Sequence, residues 1–132
     1  MTGASRGIGR AIATRLAEEG AGVAICARGE VGLRDAEADL RARNVPVYAA
    51  VCDVGVAASL DAFLDAARDA LGRVDILVNN PSGLDTSDDE NAWASTLNVD
   101  LMAAVRASRK VAPWKPNARV RARSAERSAG FV

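Results

Sequence analysis

Short apolar runs alternate with stretches of helical apolar spacing along most of this chain, and that alternation leaves few folds open. Strands joined through helices pair in parallel, with each helix lying across a face of the sheet. The apolar runs are Val23–Ala27, Val47–Val51 and residues 74–78. Val23–Ala27 is continuous rather than alternating, as in a strand covered on both faces. A first helix is predicted over residues 8–19, with Ile8, Ile12 and Leu16 inward and Gly20 as its stop. A second covers residues 30–43, with Leu33, Ala36 and Leu40 inward and Asn44 at its end. A third covers Ala57–Leu71, with Leu60, Phe63, Leu64, Ala67 and Leu71 as its stripe. A fourth covers about residues 92–111 and presents Leu97, Leu101, Val105 and Ser108 along one side, with Pro113 and Pro116 beyond it. The fold class is therefore α/β with a parallel, doubly wound sheet. With 132 residues, 49% of them apolar, there is material for one small domain.

Charge and residue usage exclude several functions. The formal net charge is zero, which argues against a general polyanion binder. Residues 115–132 are locally basic: Lys115, Arg119, Arg121, Arg123 and Arg127 stand against Glu126 alone. No aromatic residue interleaves that run, so nucleic-acid binding is not expected. The chain has no histidine, which removes histidine catalysis, and no metal site is expected. Cys26 and Cys52 lie inside apolar runs and read as buried thiols. No signal-peptide pattern or apolar stretch of membrane length is seen, so no membrane partner and a cytoplasmic location are expected.

The chain opens on Thr2-Gly3-Ala4-Ser5-Arg6-Gly7-Ile8-Gly9, directly before the first helix. Glycines serve where backbone turns tightly, where a phosphate must come close, or where helix and strand touch. The helix start adds free N–H groups and a positive dipole end. Together with the alternation this is the pattern of a dinucleotide-binding turn. The string resembles the cofactor fingerprint of the short-chain dehydrogenase/reductase family, whose glycines are spaced as Gly3, Gly7 and Gly9 are. Asp53-Val54 stands where the family ends its third strand and an Asp reaches the adenine. Asn79-Asn80 stands where its fourth strand ends, and Asn98 where it keeps an asparagine of the catalytic network. The chain is thus similar to the N-terminal cofactor-binding portion of a classical member, of the 3-oxoacyl-carrier-protein reductase type. The resemblance implies a Rossmann-type sheet and a cofactor site made of Gly3, Ser5, Arg6, Gly7, Ile8, Gly9, Arg28, Asp53, Val54, Asn79 and Asn80.

The choice of cofactor turns on the end of the Val23–Ala27 run. An acid there would hold the ribose hydroxyls of NAD, and an arginine the 2′-phosphate of NADP. Here Arg28 follows Ala27, and Arg6 precedes the second glycine. A guanidinium fork suits a phosphate, so NADP (NADPH) is the expected cofactor. The family sequence Asn-Asn-Ala-Gly is replaced by Asn79-Asn80-Pro81-Ser82-Gly83. Either Ser82 stands for the family glycine, or one residue is inserted and Gly83 does. Pro81 removes a backbone donor near the nicotinamide ribose.

The family's chemistry is hydride transfer between nicotinamide and a carbonyl or alcohol, assisted by a serine, a tyrosine and a lysine four residues beyond it. Of that network only Asn98 is here. The one tyrosine, Tyr48, is followed four residues later by Cys52, and no Tyr-x-x-x-Lys exists. Ser124 lies at about the right distance for the family serine. The strand before it, however, would bury Arg121 and Arg123 unpaired, at a cost of several kcal/mol. Residues 115–132 read instead as an irregular basic tail beyond a partial domain at 1–114, of the kind a frameshifted GC-rich gene yields. At the other end, Met1 stands where the family commonly ends its first strand with valine, and the reading there is a start assigned inside a longer gene.

The sheet is accordingly expected to be incomplete, lacking the family's first strand and those after the fourth, and the chain alone to be partly molten or aggregation-prone. The leading reading is a truncated NADP-dependent oxidoreductase, inactive by itself, whose parent takes an unknown small carbonyl or alcohol. The alternatives are a non-catalytic NADP-binding remnant and an interaction module that forms homo-oligomers through the helix at residues 92–111.

Overall fold

The computed structural model describes residues 1–83 and 87–114. In chain order they form α1 (Gly7–Glu18), β1 (Val23–Ala27), α2 (Glu30–Arg41), β2 (Val47–Val51), α3 (Ala57–Leu71), α4 (Glu90–Thr96), a π-helical segment at Leu97–Met102, α5 (Ala103–Val111) and a 3₁₀ turn at Ala112–Trp114. Both strands match the apolar runs that predict them. α1 ends where Gly20 takes φ +83°, and α3 where Gly72 takes φ +76°, left-handed conformations that glycine adopts without steric cost. The basic tail at 115–132, with Ser124 and the rejected strand before it, lies outside the described residues.

β1 and β2 pair in parallel, Val23 opposite Val47 and Ala27 opposite Val51. Helices cover both faces. Ile25 and Leu33 share one core cluster with Ala13 and Ala17 of α1 and Leu40 of α2. Cys26 and Cys52 share the other with Leu60, Phe63 and Leu64 of α3 and Ala107 and Val111 of α5. The incomplete doubly wound architecture expected from the pattern is what the chain forms.

The strand predicted at residues 74–78 does not form. Among the described residues the sheet has two strands, and this run enters it only where the Thr2 N–H donates to the Val78 carbonyl at 3.1 Å. The reason lies beside it. Thr2 bridges Cys26 in parallel on its other side, so one residue spans the whole gap between β1 and residue 78. Below Thr2 that gap is a cavity of about 380 Å³, lined by Val23 and Ala24 on one wall and Val74, Ile76 and Val78 on the other. A strand is defined by its neighbour's hydrogen bonds, and residues 74–77 face a space without one. The Met1 nitrogen closes the cavity's end and donates to the Ala24 carbonyl at 2.6 Å.

Two helices bury faces other than those predicted. In α1 the buried residues are Gly9, Ala13 and Ala17; of the predicted stripe Leu16 packs half-buried against the core, while Ile8 is 73% exposed. The small face goes inward because the helix lies almost on the glycine turn. In the last helix the buried residues are Ala92, Ala103, Ala107 and Val111, and Leu97, Leu101 and Ser108 are exposed. The inward face is built mainly of alanines, and the predicted stripe of larger residues turns outward. Small residues again allow close packing, here against α3.

Candidate cofactor site

The predicted site residues collect at one end of the sheet, beyond the carboxyl ends of the parallel elements. This is the position at which open α/β sheets bind ligands. The glycine turn is built tightly. Gly3 and Gly7 hold φ +69° and +58°. Ala4 donates its N–H to the Cys26 carbonyl at 3.1 Å, which fixes the turn to the end of β1. A Cβ on Gly9 would fall 2.2 Å from the Gly3 carbonyl oxygen, so no side chain can stand there. Ser5 lies against Gly32 of α2, the space beyond which a Cβ would meet its side chain at 3.6 Å.

Asn80 ties the turn to the next loop, its Nδ2 donating to the Gly3 carbonyl at 2.8 Å. Pro81 packs on Gly3 in the same place. Asn79 and Asp53 are exposed, and Val54 is buried in the core cluster that holds Cys26 and Cys52. The Asp53 carboxylate accepts the Gly55 N–H at 2.9 Å, and the Asp53 N–H donates to the Ser59 hydroxyl. Asn98 is engaged at both ends of its amide. Its Nδ2 donates to the Gly55 carbonyl at 2.9 Å, and its Oδ1 accepts from Arg106 at 2.8 Å.

The first turn of α1 is open to an anion. Arg6 stands at its N-cap, no side chain caps it, and no acidic residue lies in that turn. Its amides therefore keep the dipole and donors that hold phosphates. Arg6 and Arg28 are both exposed, and among the described residues neither makes an ion pair or a side-chain hydrogen bond. Arg10, Arg15, Arg34, Arg41 and Arg73, by contrast, each pair with a carboxylate. The glycine cradle, the uncapped helix start and two unpaired guanidinium groups together fit a phosphate-bearing dinucleotide.

The model of the short chain dehydrogenase family matches residues 1–120. The chain belongs to that family. Short-chain reductase protein NovJ of Streptomyces niveus is 37% identical over 112 residues, which cover 82% of this chain and 43% of that one. Among solved structures, an actinorhodin polyketide ketoreductase variant with NADPH is similar at a TM-score of 0.75 and 38% identity, covering 83% of this chain and 44% of that one. A short chain dehydrogenase/reductase of Burkholderia phymatum in complex with NAD is similar at 0.80 and 32%, covering 87% and 42%. The chain spans less than half the length of each of these proteins. The family's structures thus hold either nicotinamide cofactor.

Sequence reasoning did not find Gly55, Arg106 or Asp100. Asp100 accepts the Gly83 N–H at 2.6 Å and the Ser82 hydroxyl at 3.3 Å. Its partners lie 17 and 18 residues away, and no local pattern announces such a contact. No group of metal-ligating side chains exists among the described residues, and no helix among them is long and apolar enough to cross a membrane.

Proposed function

We propose that this chain is the cofactor-binding portion of an NADP-dependent oxidoreductase and binds NADP(H) at the carboxyl end of its sheet. The observation that carries this reading is the pair of unpaired arginines, Arg6 and Arg28, flanking a glycine turn with no acidic residue at the end of β1. Gly3, Ser5, Gly7, Ile8 and Gly9 would cradle the pyrophosphate on the start of α1. Arg6 and Arg28 would hold the 2′-phosphate, Asp53 and Val54 would lie along the adenine, and Asn79 and Asn80 would approach the nicotinamide end. The bound cofactor supplies hydride exchange with a carbonyl or alcohol. Asn98 would belong to the proton network of a complete enzyme. Tyr-x-x-x-Lys is absent from this sequence, so binding without turnover is the expected behaviour of the chain itself.

Titration of NADPH and NADH into the chain, followed by nucleotide fluorescence, tests the reading. NADPH is expected to bind tighter. Arg28→Asp is expected to cost between about tenfold and a hundredfold in NADPH affinity, the worth of one charge-assisted bond to phosphate. It should leave NADH equal or favoured. An unchanged preference would remove Arg28 from the site.

A second reading, self-association, is favoured by one observation. Trp93, Leu97, Leu101 and Met102 leave a large apolar area exposed on the helix at residues 90–111, and patches of this kind mark interaction sites. The expected result in size-exclusion chromatography is a dimer that dissociates on dilution. The double variant Leu97→Ser with Leu101→Ser should elute as a monomer, and an unaltered profile would rule the face out.

A further inference from the structure

We infer that Asp100 is a positioning residue for the nicotinamide half of the cofactor site. The inference rests on the NADP(H)-binding reading above. Asp100 lies in the π-helical segment Leu97–Met102, and single π turns inside helices recur at functional sites. That segment grips two loops. On one side Asn98 donates to the Gly55 carbonyl. On the other, Asp100 takes the Gly83 N–H on one carboxylate oxygen and the Ser82 hydroxyl on the other. Residues two apart leave a helix on different sides, so the pair holds one loop on each flank.

The loop that Asp100 holds is pressed on the helix. A Cβ on Gly83 would come within 3.1 Å of the Thr96 Cα. The loop's other end, Asn80-Pro81, lies on the glycine turn through the Asn80 bond to the Gly3 carbonyl. A rigid path therefore runs from Asp100 through Ser82 and Gly83 to Pro81, Asn80 and Gly3. Pro81 has no N–H with which to anchor this stretch. The Asp100 carboxylate supplies the anchorage from outside, through a charge-assisted bond to a backbone N–H. Released from Asp100, residues 81–83 lose their only side-chain ties among the described contacts. The arginines that face the 2′-phosphate stay where they are.

The test compares two probes in the unaltered chain, Asp100→Ala and Asp100→Asn. NADPH spans both halves of the site. Adenosine 2′,5′-bisphosphate carries the 2′-phosphate and adenine but no nicotinamide. Asp100→Ala is expected to lose on the order of tenfold in NADPH affinity and to bind the bisphosphate within about twofold. Asp100→Asn keeps an acceptor for the Gly83 N–H and the shape of the side chain, so it should recover most of the NADPH affinity. Hydrogen exchange at the Gly83 amide should quicken in Asp100→Ala and far less in Asp100→Asn. Unchanged NADPH affinity in Asp100→Ala overturns the inference. So does an equal loss of both probes, which would make Asp100 a support of the fold as a whole. If the unaltered chain binds neither probe, the cofactor reading itself fails and the positioning role falls with it. If it binds the bisphosphate and NADPH, the two variants decide the role of Asp100 alone.

Discussion

A variant carrying an extended apolar segment of about five residues ahead of Met1 is expected to be more stable than this chain by several kcal/mol, with a sharper thermal transition. The space for it is already shaped. Thr2 bridges Cys26 on one side and donates to Val78 on the other, so the gap at that level is one strand wide. The cavity continues that gap between Val23–Ala24 and Val74–Val78, with Phe63, Leu64 and Ala67 beneath. Each branched aliphatic side chain buried there is worth about 1.5–3 kcal/mol. Ordering each residue of the segment costs about 1–2 kcal/mol, and the new ladder on both walls supplies the balance. Residues 74–78 should then become a strand. Amide hydrogen exchange at Asp75–Val78 would slow, and a Gly/Ser segment of equal length should do none of this. Identical transitions for the apolar and Gly/Ser variants would show that the cavity is not a strand seat.

A pH dependence accompanies this. Burial of the Met1 nitrogen lowers the pKa of its ammonium below the ordinary 8.0. Between the lowered value and the ordinary one, the unfolded chain binds more protons than the folded chain, so stability should rise as pH climbs through that window. In either extended variant the amine is replaced by a peptide group, and thermal melts at several pH values should no longer show the rise.

How much was legible in the sequence follows from how local each feature is. β1, β2, α2 and α3 carry their own evidence: continuous apolar runs for the strands, and Leu33, Ala36 and Leu40, or Leu60, Phe63, Leu64 and Ala67, at helical spacing. Residues 74–78, Asp75 apart, are as apolar as β1 and yet form no strand, because a strand is a relation to a neighbour and its neighbour's place is a cavity. The misjudged faces of α1 and the last helix share a cause. Large residues mark a buried stripe only where there is room for them. Where a helix approaches its partner closely, the inward face is alanine and glycine, and Ile8 or Leu97 turns outward. The glycines and Asn80 of the site were legible because a fingerprint is contiguous. Asp100 was not, because what defines it is a contact with Gly83 across the fold.

Gly9→Ala is expected to be the most damaging single methyl in the chain. Its Cβ would sit 2.2 Å from the Gly3 carbonyl oxygen and 2.6 Å from the Asn80 Nδ2. Neither neighbour can retreat cheaply. The Gly3 carbonyl is backbone in a turn fixed to β1 through Ala4, and Asn80 is bonded to that same carbonyl. Overpacking of this kind costs about 1–3 kcal/mol, occasionally more, and the upper end applies where the obstacle is backbone. The methyl would also push α1 off the turn, moving the helix start proposed to face the pyrophosphate, so on that proposal NADPH affinity should fall by more than tenfold, a change of about 1.4 kcal/mol for each decade. Two other glycines calibrate the result. A Cβ on Gly7 meets nothing within 4 Å, but φ is +58°, so Gly7→Ala pays only the left-handed strain of about 1–2 kcal/mol. Gly29 has open space and φ −90°, and Gly29→Ala should be close to neutral. Thermal unfolding of the three variants should therefore rank Gly9→Ala below Gly7→Ala and Gly7→Ala below Gly29→Ala. If Gly9→Ala melts with Gly29→Ala and keeps its affinity for NADPH, the helix does not rest on the turn as described, and the crevice built on that contact is wrong.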